Sequence, residues 1–174
     1  IVLSSNNDNN KVTIAEAEGI TTILSAMKTH SFNSNVQYLC CAALSNLADN
    51  NENNKVMIAA AGGISTILSA MNNHSSNASV QFCGCAALMK LATNNDNNKV
   101  MITNAGGEDA IKSAIRNHSS NVGVIEKGHE ALLILQPYWP NMGSSQYGFI
   151  YEDWLIFFVS ITNCIIVEKK EKSK

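Results

Sequence analysis

His30, His74 and His118 recur at intervals of 44 residues, and evenly spaced imidazoles are the natural place to seek a metal centre or an acid–base array. Geometry is against both. Stacked structural units hold equivalent side chains about 10 Å apart, whereas ligands shared by one ion lie about 2 Å from it. Each imidazole is expected instead to satisfy carbonyls at the end of the helix that precedes it. Cys40 and Cys41 are adjacent and Cys83 and Cys85 are two apart, so on a helix neither pair converges on a zinc ion, and all four read as small buried hydrophobes. His129 stands where Cys41 and Cys85 stand in the period, with Glu126 and Glu130 near it. No nucleophile is placed beside it, and no general acid–base role follows. Gly62-Gly63 follows no strand, which removes a phosphate loop. The chain is read as a non-enzyme with no catalytic residue, no metal site and no cofactor.

A chain of 174 residues with 45% hydrophobic content is long enough to bury a core and too apolar to be disordered. The formal charge of −2 hides an asymmetry, because Lys169, Lys170, Lys172 and Lys174 crowd the last six positions. The remainder is mildly acidic, which gives no electrostatic reason to expect a nucleic-acid partner. Four cysteines inside apolar helical runs point to a reducing, intracellular home, cytoplasmic and/or nuclear. The chain opens at Ile1 without a recognisable signal peptide, and it is expected to be cut from something longer.

The elements that carry these residues follow from the same 44-residue interval. Lys11-Val12, Lys55-Val56 and Lys99-Val100 open three blocks, and residues 11–54 and 55–98 agree at roughly 28 of 44 positions without gaps. Units of this length stack helices, each unit being too small to bury its own apolar face. The Asn-rich stretches before Lys55 and Lys99 supply caps for a short first helix ending near Ala61. Gly62-Gly63 and Gly106-Gly107 break it and allow positive φ. Ile64, Ile67, Leu68 and Met71 then form one apolar stripe on a second helix. Asn77, matched by Asn33 and Asn121, is the predicted cap of a longer third helix that turns Val80, Cys83, Ala87, Leu88 and Leu91 towards a core. Small residues along it, Gly84 to Ala87, permit close helix packing.

Three helices per unit, the joint Ala61-Gly62-Gly63-Ile64, the pairs Val80-Gln81 and Ala87-Leu88, and the ending Ala-Leu-Ser-Asn-Leu-Ala at 43–48 resemble the armadillo repeat family over most of residues 3–135. The resemblance implies an all-α, right-handed α-solenoid of three armadillo-like repeats, at 11–54, 55–98 and 99–136. Residues 1–10 align with 45–54 and are expected to be the stub of a preceding repeat; 137–174 would be a non-repeat tail. In the third block Glu108 and Lys112 replace Ile64 and Leu68, which suggests the wet outer face of a capping repeat.

The same resemblance implies a concave groove lined by third helices, where a recurrent Asn holds the backbone of an extended peptide. Asn46 is at that position, but its equivalents are Lys90 and Ile134, and the family's Trp four residues earlier is replaced by Ala42, Ala86 and Glu130. Helical spacing completes the ladder as Tyr38-Ala42-Asn46, Phe82-Ala86-Lys90 and Glu126-Glu130-Ile134. The expectation is a protein-interaction scaffold for an extended peptide or partner helix, with Tyr38 and Phe82 as aromatic anchors. Strong binding of a basic import signal is not expected. The sequence fixes neither the partner nor the oligomeric state.

Pro137 and Pro140 end the periodic pattern, and Trp154 to Val167 is almost continuously apolar before the lysines. About 14 residues of helix reach only about 21 Å, short of a hydrocarbon core of about 30 Å. A segment packed on the last repeat is expected ahead of a membrane tether, the alternative role for this tail, and of sequence foreign to the repeats.

Overall fold

The chain divides after Gln136, and the computed structural model describes residues 7–136. The expectations for the start of the stub around Leu3 and for the tail from Pro137 lie outside the described residues. Within them the protein is all-helical, with nine helices in three triplets: α1 (Asp8–Glu16), α2 (Gly19–Thr29) and α3 (Ser34–Ala48); α4 (Glu52–Ala60), α5 (Gly63–Asn73) and α6 (Ala78–Ala92); α7 (Asp96–Asn104), α8 (Gly107–Asn117) and α9 (Val122–Leu135).

Asparagine starts six of these helices. Asn7, Asn51 and Asn95 accept from the backbone N–H three residues on, ahead of α1, α4 and α7, and Asn33, Asn77 and Asn121 do the same for α3, α6 and α9. Each first helix therefore begins three residues before the lysine that opens its block, with Asp8, Glu52 or Asp96 in the first turn, where a carboxylate meets the positive end of the helix dipole.

The joint between first and second helices needs two backbone features. Its first residue is left-handed, with φ 80° at Gly62 and Gly106 and φ 58° at Glu18. Its second residue has no room for a side chain: a Cβ on Gly63 would lie 2.7 Å from the carbonyl oxygen of Ile58. Glycine answers both demands, and the two helices of the middle triplet meet at 70°.

The predicted stripe Ile64, Ile67, Leu68 and Met71 is buried, as are Val80, Ala87, Leu88 and Leu91; Cys83 is half-buried against the same core. Third helices pack side by side, α3 on α6 and α6 on α9. Within a unit, glycine lets the second and third helices close up, since a Cβ on Gly84 would lie 2.7 Å from Sδ of Met71 and one on Gly128 2.6 Å from Cγ1 of Ile115. Glu108 and Lys112 form the expected i,i+4 pair at 3.2 Å.

The histidine expectation is corrected here. His74 Nε2 bonds Ser31 O at 2.7 Å and His118 Nε2 bonds Ser75 O at 2.9 Å, so each imidazole reaches into the unit before it and not to the end of its own second helix. Those helix-end carbonyls belong to buried glutamines instead: Gln37 Nε2 donates to Met27 O and His30 O, and Gln81 Nε2 to Met71 O and His74 O, at 2.8–3.0 Å.

Candidate binding surface on the third helices

The asparagine caps set the phase of α3, α6 and α9, and the buried face of each then determines which residues turn outward. With Cys41, Leu44, Leu47 and Ala48 buried on α3, and Cys85, Leu88, Leu91 and Ala92 on α6, the predicted ladder falls on the remaining arc. Each of its residues has solvent access: Tyr38, Ala42, Asn46, Ala86, Lys90 and Ile134 are half-buried, and Phe82, Glu126 and Glu130 are exposed. Tyr38 and Ile134 rest one side against the core.

Three of the ladder's side chains, Lys90, Phe82 and Glu130, have partners that the sequence did not suggest. Lys90 forms an ion pair with Asp49, at the end of α3, with 2.6 Å between Nζ and Oδ1. The Lys90 cation of the middle rung is thus tied to the unit before it. Phe82, 39% exposed, has Lys127 Nζ of α9 at 6.0 Å from its ring centroid, a cation–π distance. Lys127 also pairs with Glu130 on its own helix. Glu126 is exposed and has no ion pair among the described residues.

Below this surface the polar groups serve the fold. Asn54 Nδ2 donates to Lys11 O across the unit boundary and to Leu47 O, and Asn98 Nδ2 repeats this with Lys55 O and Leu91 O. Lys11 Nζ and Lys55 Nζ, both buried, donate to the carbonyls of Asp49 and Thr93 and pair with Asp8 and Glu52. The signal for these residues was present as polar positions recurring every 44 residues, Lys11 and Lys55, Gln37 and Gln81, Asn54 and Asn98. Their carbonyl partners lie 7 to 43 residues away, beyond the reach of local pattern.

Burial pushes the Cys85 thiol up to about 12, Cys41 is raised further by burial and neighbouring thiols, and Cys40 and Cys83 are raised by partial burial. Such thiols are poor nucleophiles. Among the described residues no group of three or more His, Cys, Asp or Glu side chains is arranged to hold a metal ion.

No protein-family model matches the chain, and no curated protein matches it. It is similar to an engineered protein in a crystal structure from the Northeast Structural Genomics Consortium, with a TM-score of 0.67 and 22% identity over 76% of this chain and 51% of that one. At that identity the likeness concerns the fold alone. The chain spans about half the length of that protein.

Proposed function

We propose that residues 7–136 form an armadillo-like, right-handed solenoid that acts as a non-catalytic protein-interaction module. An extended peptide is held along α3, α6 and α9 by Tyr38, Ala42, Asn46, Phe82, Ala86, Lys90, Glu126, Glu130 and Ile134. The observation that carries this reading is a contrast between two sets of recurring positions. The repeating pairs Asn54 and Asn98, Gln37 and Gln81, and Lys11 and Lys55 are buried and bonded within the fold, whereas the ladder has solvent access and changes from Asn46 to Lys90 to Ile134. A surface that varies while its scaffold stays constant is where selectivity for a partner resides.

The roles divide by chemistry. Asn46 offers a donor and an acceptor to a peptide backbone, and Phe82 and Tyr38 offer aromatic area of about 150 Å² each. Lys90 is neutralised by Asp49, which leaves little charge for a strongly basic or acidic ligand. A display library of random peptides selected against the intact chain tests the reading. The selected peptides are expected to lose about 5- to 30-fold in affinity with Asn46→Ala and with Phe82→Ala, each equivalent to about 1–2 kcal/mol. Unchanged affinity in both variants would overturn the assignment, as would micromolar binding of a polybasic peptide that depends on Asn46.

A further inference from the structure

Each first helix shows solvent the same two kinds of side chain. Val12, Val56 and Val100 recur at the 44-residue interval and are 42%, 57% and 58% exposed, and Met57 and Met101, beside the last two, are exposed as well. These five make up half of the large apolar side chains exposed among the described residues, so they form a row rather than scattered singles. The row is continuous through the middle unit. Helix α4 packs beside α1 on one side and α7 on the other, and Val56 and Met57 stay exposed between them. The inner face of α4 is made by Asn54, Lys55, Ile58 and Ala59, so the packing of the fold asks nothing of this valine and methionine.

Charge of one sign frames the row. Asp8, Glu52 and Asp96 stand four residues before the valines, one turn away on the same helical face, and all three are exposed. The lysines that pair with them turn inward. Lys11 and Lys55 are buried, with Nζ donating to the carbonyls of Asp49 and Thr93, and Lys99, paired with Asp96, is half-buried. No exposed Lys or Arg lies on α1, α4 or α7. A ligand approaching the row therefore meets methyl groups and thioethers rimmed by carboxylates, an arrangement that draws cationic surfaces and repels anionic ones.

Neighbouring helices lie about 10 Å apart. An α-helix covers that distance in about seven residues, close to two full turns, so a helix laid across the row returns the same face to each unit. We propose that the outer face of α1, α4 and α7 receives a basic amphipathic helix of a partner protein. Its apolar side chains rest on the valine and methionine row, and its Lys or Arg side chains meet Asp8, Glu52 and Asp96, with both kinds repeating about every seven residues. The unbranched thioethers of Met57 and Met101 adapt to the shape of such side chains. This inference is independent of the ladder on α3, α6 and α9.

Calorimetric titration of the whole chain with a helical peptide of about 20 residues, repeating leucine and lysine at that interval, tests it. Binding in the micromolar range is expected, weakening as salt is raised. Val56→Ala combined with Val100→Ala is expected to cost about 5- to 30-fold in affinity, while Asn46→Ala and Phe82→Ala leave it unchanged. Met57→Ala combined with Met101→Ala gives a similar loss, and serves as the second pair should the first lower helicity. The same peptide with glutamate for lysine, or with a central proline, is expected to bind about tenfold more weakly or worse. Absence of binding overturns the inference, as does a loss that follows Asn46 or Phe82 in place of the valines, or equal affinity for the glutamate or proline peptide. So does valine-dependent binding to vesicles of phosphatidylserine and phosphatidylcholine by a chain that ignores the peptide, which would make this face a membrane contact.

Discussion

Asn54 and Asn98 each join three segments of chain. The backbone N–H of Asn54 is received by Asn51, while its side-chain amide reaches Leu47 O and Lys11 O, on the third and first helices of the preceding triplet. Replacing Asn98 by alanine removes the donor to the buried Leu91 O and Lys55 O and is expected to lower stability by about 1–3 kcal/mol in urea unfolding; a loss under about 0.5 kcal/mol would show that these bonds add nothing net. The thiols give a pH dependence of definite sign. Burial raises Cys85 from 9.0 to about 12, so the unfolded chain ionises it first, and its contribution, intact below pH 9, is lost as pH rises towards 12. Cys85→Ala is expected to flatten the fall in stability over that window relative to wild type. Equal slopes in the two proteins would contradict a buried, neutral thiol.

Among the elements, the joint between first and second helices separates cleanly into its two demands. Glu18 adopts φ 58° where its counterparts are glycine, and Glu18→Gly is expected to stabilise the protein by about 0.5–1 kcal/mol, measured as a rise in the denaturation midpoint. Gly63→Ala should act in the opposite sense, by about 1–3 kcal/mol, because its Cβ meets the Ile58 carbonyl and side chain. Much of this level was legible in the sequence. Capping asparagines and glycine joints act on the chain within a few residues, so Asn33, Asn77, Asn121, Gly62 and Gly106 could be read where they stand. The histidines could not, since their acceptors Ser31 and Ser75 sit in the preceding unit, 43 residues away. The pairing of Lys90 with Asp49 and the stacking of Lys127 over Phe82 were hidden for the same reason: both depend on how neighbouring third helices are set against each other.

At the scale of residues 7–136, the 44-residue interval sets third helix beside third helix, with the recurring Gln37 and Gln81, Asn54 and Asn98, and Lys11 and Lys55 buried, while Asn46, Lys90 and Ile134 keep solvent access. On the proposed function, this varying face, and not the hydroxyl-lined cleft between α2 and α5, receives an extended peptide. Amide and side-chain chemical shifts of isotope-labelled protein, titrated with a peptide selected for binding, distinguish the two surfaces. The largest changes are expected at Tyr38, Asn46, Phe82 and Lys90, with α2 and α5 unmoved. Changes concentrated on Ser65, Thr66 and Ser69, with the third helices silent, would contradict it.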